Sequence, residues 1–295
     1  MNVSSNDVSA SVRQAFDFTV DRFRLRGPDN MKTDQYGLFR SDTGYIAGVK
    51  SVSPRYVPHT TDDVCALVEA ASDAFDGDVE CKTHWKKGHY VSVAPTNGQR
   101  RSIYGSADNI FPRIVIRAGY DGQSFMGTMG YYRDACKNLA MMRRVSGTSV
   151  SIRHTSGLRS AMDELIETFG RLSQGWERLA EIAAELQTRE VRMVEFLDQI
   201  YGRPEADASR TKLRNHKNRT KAIWNRLNIE RDRTGRPIMD GDKVSAWEAY
   251  NAIQGYVQHD AKAKKGFKDE FSRILRAAND PGVRKAESLV LELVS

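Results

Sequence analysis

Cysteine is scarce in this chain, and the placement of its three cysteines excludes two common structural roles. Cys65, Cys81 and Cys136 lie far apart in the 295-residue sequence and form no CxxC pair. A disulfide framework and a cysteine-rich zinc site are therefore not expected. Isolated cysteines of this kind behave as small buried apolar residues, which agrees with a reducing cytoplasm.

Long apolar runs are missing as well. No stretch approaches the roughly 18 apolar residues that a membrane-spanning helix needs, and the segment MNVSSNDVSASVRQAF lacks the apolar core of a signal peptide. We therefore expect a soluble cytoplasmic protein with no membrane partner. Hydrophobic residues still make up 40% of the chain, which is enough to form a folded core.

The familiar catalytic and cofactor motifs are also absent from the sequence. It contains no GxSxG, no GxxxxGK[ST], no GxGxxG and no HExxH. His84 and His89 lie on either side of a predicted turn, where two imidazoles can meet, but no further metal ligand is evident beside them. We expect a non-enzymatic protein without a metal or cofactor. The alternative is an unrecognised metal-dependent nuclease, which would need several converging acids.

Hydrophobic periodicity indicates an α+β protein, in which a half of mixed β-sheet and helix precedes a mainly helical half. The sequence predicts three consecutive segments. They are residues 1–35, an amino-terminal arm or helix; residues 36–157, an α+β domain with β-hairpins; and residues 158–295, a helical region that includes a basic segment at 203–236.

Capping and turn residues predict several individual elements. TTDDVCALVEAASDAF has the pattern of a capped helix, DVECKTHWKKGHYVSVAP that of a hairpin, and RIVIRAGYDGQSFMGTMGYY that of a second hairpin with its turn at Asp121–Gly122. An amphipathic stretch spans Val12–Phe23, and DACKNLAMMRR is predicted to be helical. Residues 158–201 carry wide apolar stripes, and their length predicts two helices or one long helix with a break near Gly170 or Gly175. Such stripes are compatible with a homo-oligomer.

The positive charge of the chain is concentrated in one short stretch. RTKLRNHKNRTKAIWNRL, from Arg210 to Leu227, holds seven Lys or Arg residues and no acid. Residues 203–236 contain eleven Lys or Arg against four Asp or Glu, a surplus of seven that equals the net charge of +7 of the whole chain. A local surplus of one sign indicates a surface for an anionic partner.

Helical spacing gives this stretch a cationic face with few apolar residues. The predicted phosphate-binding residues of the helix are Arg210, Lys212, Arg214, Lys217, Arg219 and Lys221. Lys212 and Arg219 are expected to flank the face that the other four share, and Leu213, Trp224 and Leu227 are expected to anchor the other side. Such a helix can lie along a phosphate backbone or contact an acidic protein, whereas its apolar face is too sparse for a membrane.

A second basic element is predicted at the tip of the first hairpin, in WKKGHY. Trp85 and Tyr90 are expected to stack on bases while Lys86 and Lys87 neutralise phosphates, as in proteins that bind single strands. In the alternative interpretation, both rings belong to the core and the lysines only solubilise a turn. The further predicted contacts are Arg100, Arg101, Arg143 and Arg144.

Two stretches carry motifs at defined spacings. YDGQSFMGTMGYYRDACKNLAMM, followed by SIRHT, holds a turn, an Arg-x-x-Cys-x-Asn element and an Arg-His-Thr element, and SAWEAYNAIQGYVQH holds a Trp-x-x-Tyr-Asn-Ala helix. The positions concerned are Asp121, Gly122, Ser124, Arg133, Cys136, Asn138, Arg153, His154, Thr155, Trp247, Tyr250, Asn251, Ala252, Tyr256 and His259. Together with YIAGVKSVSPRYVPHTTDDV, they resemble the phage/plasmid-like protein family that carries domain of unknown function 932. The chain departs from the family at Tyr120, where His is common.

This resemblance covers residues 36–260 and implies a phage, prophage or plasmid setting, and therefore the cytoplasm of a bacterial host cell. It implies no particular activity. A hairpin sheet followed by a helix, with basic rims, is also similar to the core of single-strand annealing proteins.

Two functional hypotheses follow from the charge and the resemblance. The leading hypothesis is a non-enzymatic phage-type protein that binds single-stranded DNA, in preference to RNA, in recombination, replication or phage transcription. The alternative is an interaction protein whose basic helix docks on an acidic partner, such as a phage polymerase or a recombination protein.

Overall fold

Two compact units make up the protein. In the computed structural model of the chain, the described residues are 5–46, 51–76, 78–85, 88–96, 99–105, 109–120, 125–133, 139–140, 145, 149–152, 158–233, 241–261 and 270–295. The first unit comprises Met1–Gln99, Pro112–Gly130 and Val145–Trp176, and the second comprises Arg100–Phe111, Tyr131–Arg144 and Glu177–Ser295. Neither unit is a continuous stretch of chain, whereas the sequence predicts consecutive segments.

The described residues form twelve strands and eight α-helices. The strands are β1 (Val20–Arg26), β2 (Lys32–Arg40), β3 (Gly44–Tyr45), β4 (Val79–Trp85), β5 (Gly88–Pro95), β6 (Arg101–Ser102), β7 (Asn109–Gly119), β8 (Phe125–Arg133), β9 (Leu139–Ala140), β10 (Ser149–Ile152), β11 (Glu190–Arg192) and β12 (Lys243–Ser245). The helices are α1 (Ser5–Ala15), α2 (Thr61–Asp73), α3 (Leu158–Thr188), α4 (Met193–Tyr201), α5 (Arg210–Arg233), α6 (Ala246–Gly255), α7 (Glu270–Asn279) and α8 (Pro281–Leu291). The predicted α+β class is confirmed, since the amino-terminal half is mainly sheet and the carboxy-terminal half mainly helical.

The strands form three sheets. A small antiparallel sheet has the order β1-β2-β3, and the largest sheet has the order β10-β8-β7-β5-β4, with β6 paired to β7 and β9 paired to β8. A short antiparallel pair joins β11 to β12. Among the described helices, none is both long enough and apolar enough to cross a membrane.

Capping residues and hairpin patterns predict the first unit well. Helix α2 begins with a capping box in which the Thr60 hydroxyl accepts from Asp63 N (3.1 Å) and the Asp63 carboxylate accepts from Thr60 N (2.7 Å). The apolar side of this helix, from Val64 to Ala71, is buried. Strands β4 and β5 form the predicted hairpin, and β7 and β8 lie on either side of the second predicted turn, which falls outside the described residues.

One predicted helix is wrong, and the amino-terminal stretch predicted as an arm or a helix contains both a helix end and a strand. The amphipathic stretch Val12–Phe23 divides into the end of α1 and the start of β1, because VDRFRLR alternates with a period of two and pairs with β2. In DACKNLAMMRR, Leu139 and Ala140 form strand β9 on β8 instead of a helix, and the rest of that stretch lies outside the described residues.

Residues 158–201 form two helices, α3 and α4, as one of the two predicted alternatives has it, but no break occurs at Gly170 or Gly175. Helix α3 runs through Gly170 and Gly175 over 31 residues, and the chain interrupts its helical course only at β11, before α4. A glycine inside a helix costs about 1 kcal/mol relative to alanine. This cost is offset by the buried apolar side of α3, which includes Phe169, Leu172 and Trp176.

Candidate nucleic-acid interface

Helix α5 has two halves with different surroundings. From Ile223 onwards it buries residues at every turn, including Leu227, Glu230 and Arg231. Between positions 210 and 222 no residue of the helix is buried. The amino-terminal half is therefore a helical segment with solvent-accessible sides, held in place by the packing of the carboxy-terminal half.

The local sequence favours a helix here despite the weak apolar pattern. The stretch holds no Pro or Gly between its ends, and Ser209 acts as the cap, its side chain accepting a hydrogen bond from Lys212 N (3.3 Å). The helix is polar on all sides in its first half, so propensity and capping, rather than burial, keep this half helical.

Four cations of α5 form a continuous cationic stripe, defined by Arg210, Arg214, Lys217 and Lys221. At 3.6 residues per turn these positions share one side of the helix over about 17 Å, and all four side chains are exposed. The buried residues of the second half, such as Ile223, lie on the opposite side of the helix. The cationic stripe therefore points away from the core that holds the helix.

The charge of the cationic stripe is not balanced within the described part of the chain. There, none of the four stripe residues forms a salt bridge with a carboxylate. The first turn of α5 carries Arg210 and Lys212 and no acid, although a helix amino terminus is itself electropositive. Cations spaced three and four residues apart also repel one another. An anion bound along the stripe would reduce both the repulsion among these cations and their unfavourable interaction with the helix dipole.

The prediction that Lys212 and Arg219 flank the cationic face is wrong. Their spacing places them on the opposite side of the helix from Arg214. Lys212 is exposed, while Arg219 is partly buried, with its guanidinium carbon 4.5 Å from the centroid of the Tyr201 ring. Arg219 is thus engaged in a cation–π contact within the protein.

The anchors of α5 also differ from those predicted. Leu227 is buried, but Trp224 is only partly buried and Leu213 is 43% exposed. Ion pairs hold the helix instead. They are Arg133–Glu230 (2.8 Å), Arg231–Glu248 (2.7 Å) and Arg226–Asp260, in which Nε lies 2.9 Å from Oδ2. Hydrophobic periodicity does not register charged residues as core, which is why the sequence did not reveal them.

The remaining predicted contacts are only partly described. Tyr90 is buried in β5 and cannot stack on a base, so this prediction is wrong and the alternative interpretation of its ring as core is correct. Arg101 is paired with Glu177 (2.7 Å), and the guanidinium of Arg100 lies 5.1 Å from the ring centroid of Phe111. The predicted residues outside the described set are Lys86, Lys87, Arg143, Arg144 and the side chain of Trp85.

A buried histidine pair occupies the core of the first unit. Nδ1 of His89 lies 2.7 Å from Nε2 of His59, while the side chain of His84, its predicted neighbour, lies outside the described set. The His59 ring stacks on Tyr120, whose hydroxyl donates to the His59 carbonyl (3.0 Å). Burial, with a smaller contribution from the charge of Arg40, lowers the pKa of His89 to about 3. Within the described residues, no group of three or more His, Cys, Asp or Glu is placed to hold a metal ion.

Comparison with known proteins identifies the family. The model of the domain of unknown function DUF932 matches residues 49–290. The chain belongs to the DUF932 family. No curated protein and no solved structure matches it.

Residues of α6 and β8, both inside the DUF932 match, hold the carboxy-terminal half of α5. Trp247 is buried against Tyr131, with ring centroids 5.0 Å apart, and Arg133 holds Glu230 of α5. Gly255 allows the close approach of the two helices, because a Cβ there would lie 2.8 Å from Glu230 Oε1. These contacts therefore fix the carboxy-terminal half of α5 and leave its cationic half exposed.

Proposed function

We propose that this DUF932 protein binds single-stranded nucleic acid, DNA in preference to RNA, through the cationic stripe of α5, and that it catalyses no reaction. The observation that carries the proposal is an ordered row of four exposed cations without carboxylate partners among the described residues. Phosphate groups spaced like these cations would replace the repulsion among the cations by attraction, and their binding would release counterions from the nucleic acid.

The choice of an unpaired strand is supported by the resemblance to phage/plasmid-like proteins and to annealing-protein cores. Phosphate contacts alone do not distinguish a single strand from a duplex. In this proposal the protein acts in the cytoplasm of a bacterial host cell, in recombination, replication or phage transcription. Self-association along the strand and contact with a phage polymerase or recombination protein belong to the same proposal.

The salt dependence of binding tests the cationic stripe directly. Four phosphate contacts predict that log K falls with log salt with a slope of about −3, since each contact on a single strand contributes about −0.7. Fluorescence anisotropy with a labelled oligonucleotide at several salt concentrations measures this slope. The double variant R214Q/K217Q should make the slope shallower by about 1.4 and weaken binding at low salt.

A matched control removes two exposed cations elsewhere. Arg55 and Arg171 are exposed and belong to the first unit, and R55Q/R171Q should leave the slope close to that of the wild type. Absence of binding by the wild type at low salt overturns the proposal. Duplex and RNA versions of the oligonucleotide test the preference for unpaired DNA.

Docking of the cationic stripe on an acidic protein is the second candidate function. The exposed Leu213 beside the stripe favours it, because protein partners use apolar contacts that a phosphate backbone does not offer. Under this alternative, L213S and R214E/K217E would abolish capture of a purified acidic phage polymerase and leave oligonucleotide binding unchanged. Loss of intact oligonucleotide on addition of Mg²⁺ would instead indicate a nuclease.

A further inference from the structure

An open cavity of about 470 Å³ lies in the second unit, between helices α4, α5 and α8. Its volume falls within the range of about 300–1,000 Å³ that is usual for sites of small ligands. We call it the tyrosine cavity and define it by five of the residues that line it, which are Tyr201, Arg219, Tyr256, Val257 and Lys285.

The ring of Tyr201 joins two walls of the tyrosine cavity. The guanidinium carbon of Arg219 on α5 lies 4.5 Å from the centroid of this ring. The same ring packs against Gly282 of α8, where an added Cβ would lie 2.8 Å from Cε1 and 2.9 Å from the hydroxyl oxygen of Tyr201. Lys285 follows Gly282 by three residues and therefore lies on the same side of α8. The ring thus brings Arg219 and Lys285 to the walls of one cavity.

Polar groups at this cavity lack protein partners. Arg219 is only partly exposed, and among the described residues its guanidinium forms neither a hydrogen bond nor a salt bridge. The hydroxyl of Tyr201 is buried and has no hydrogen-bond partner in the described part of the chain. Burial raises the pKa of this hydroxyl, so it stays protonated and remains a donor. Buried polar groups are normally hydrogen-bonded, and these donors therefore indicate a bound acceptor.

Positive charge predominates around the tyrosine cavity. Arg219 and Lys285 face one acid among the described residues that line it, Asp280. The Oδ1 atom of Asp280 caps α8 by accepting from two backbone amides at 2.8 Å and 3.2 Å, so side chains rather than helix amides are left to bind a ligand. Arg276 donates to the carbonyl of Val257 and adds a third cation nearby. Such a site attracts an anion.

The remaining wall is apolar and aromatic. Tyr256 is half-buried and Val257 is buried. Both belong to a π-helical turn that spans Tyr256–Asp260 directly after α6, and π-helical turns are frequent at functional sites. The tyrosine cavity therefore combines a cationic part with an apolar part. This combination suits an anionic group that is attached to a planar or apolar body.

We infer that the tyrosine cavity binds a small organic phosphate ester, whose phosphate contacts Arg219 and Lys285 and whose body contacts Tyr256 and Val257. A phosphate monoester carries nearly two negative charges at pH 7, which matches two cations, and guanidinium groups bind phosphate through paired hydrogen bonds. The inference does not rest on the proposed function, because Arg219 lies on the opposite side of α5 from the cationic stripe.

Three probes test which parts of the ligand are recognised. The mononucleotide dTMP supplies a phosphate and a planar base, thymidine lacks the phosphate, and inorganic phosphate lacks the body. Isothermal titration calorimetry of the full chain should show that dTMP binds more tightly than either of the others. The variant R219Q/K285Q should lose at least about tenfold in affinity for dTMP, because it removes two charge-assisted contacts.

Two further variants keep this test decisive. R203Q/R284Q removes two exposed cations that are close in sequence to cavity residues but do not line the cavity, and it should bind dTMP like the wild type. K285Q changes an exposed side chain only, so it should fold normally and still weaken dTMP binding. Far-UV circular dichroism of each variant verifies the fold.

The outcomes separate this inference from the proposed function. No saturable binding of dTMP by the wild type, equal affinity for dTMP and thymidine, equal affinity for dTMP and inorganic phosphate, or unchanged dTMP binding by R219Q/K285Q overturns the inference and leaves the cationic stripe standing. R214Q/K217Q should bind dTMP like the wild type. Loss of dTMP binding in that variant would place the nucleotide on the cationic stripe and also overturn the inference.

Competition with dTMP identifies the source of the phosphate ester. If a 5′-phosphorylated oligo(dT) displaces dTMP and the unphosphorylated oligomer does not, the ligand is the 5′ end of a strand. If neither oligomer displaces dTMP, the ligand is a free small molecule. Both results agree with a phosphate ester in the tyrosine cavity, whereas equal displacement by the two oligomers would show that a terminal phosphate is not recognised and would contradict the inference.

Discussion

Single charged residues inside the second unit decide whether the cationic helix is held in place. Glu230 is buried and bonded to Arg133, and it stands against Gly255 of α6. A buried ion pair contributes little compared with an apolar pair of the same volume, but removal of one partner leaves the other charge buried without compensation. The stability of the packing around the carboxy-terminal half of α5 therefore depends on the presence of both Arg133 and Glu230.

We predict that Glu230→Gln lowers the free energy of unfolding by about 3–5 kcal/mol, because the Arg133 guanidinium then loses its carboxylate in a buried site. Urea unfolding followed by tryptophan fluorescence measures the change. Glu181→Gln is the matched control, since Glu181 and its partner Arg178 are both exposed and such pairs contribute about 1 kcal/mol or less. Equal effects of the two substitutions would contradict the role assigned to Arg133–Glu230.

Among the elements, α5 combines a helical first half with charges that oppose its own dipole. Arg210 and Lys212 stand in the first turn, where acids are the stabilising residues. Nothing in the described packing compensates for this, since the first half buries no residue. The free protein therefore keeps an unfavourable charge arrangement that a bound polyanion would reverse.

Reversing these charges should stabilise the free helix and weaken binding. We predict that R210E/K212E stabilises the first half of α5 by about 0.3–1 kcal/mol per charge. The gain appears as slower hydrogen exchange of the amides between 213 and 222. The same variant should bind an oligonucleotide more weakly than the wild type.

R210Q/K212Q provides the graded control for this helix. It removes two positive charges and adds no acid, so its protection should fall between that of the wild type and that of R210E/K212E. Faster exchange in the acidic variant would show that the dipole and charge account of α5 is wrong.

The elements differ in how far their sequences reveal them. Helix α2 and hairpin β4–β5 are predicted well because Thr60, Asp63 and the turn residues act locally. Strand β9 and the exposed sheet β1-β2-β3 are not predicted, since a strand's identity depends on the partner that it meets. The position of the cationic stripe follows from helical spacing alone, whereas its anchoring by Glu230 depends on residues far away in the sequence.

At the scale of the whole molecule, the excess positive charge is concentrated in one segment of the chain. The basic surplus of residues 203–236 equals the net charge, so the rest of the chain is neutral as a whole. The cationic stripe lies inside the DUF932 match, which covers residues 49–290. Composition revealed the cationic stripe, but no pattern in the sequence distinguishes the exposed Phe23 from the buried Phe16, because exposure is decided by the assembled unit.

The dependence of stability on pH is a property of the whole molecule to which the buried His89 contributes. Burial lowers the pKa of His89 to about 3, compared with about 6.5 in an unfolded chain. Between these values the unfolded chain holds a proton that the folded chain does not. Stability therefore falls as the pH is lowered through about 6.5, and it falls by up to about 1.4 kcal/mol per pH unit.

We predict that the free energy of unfolding decreases measurably between pH 6.5 and pH 5, a range above the ordinary pKa of carboxyl groups. His89→Gln cannot take up this proton, so its stability should be lower at pH 7 but nearly constant over the same range. His216→Gln changes a partly exposed histidine of α5 and should leave the wild-type slope intact. Urea unfolding at half-unit pH steps measures all three proteins. A His89→Gln slope equal to that of the wild type would show that a group other than His89 drives the loss of stability, because the variant has no imidazole at position 89 to bind the proton in the unfolded chain.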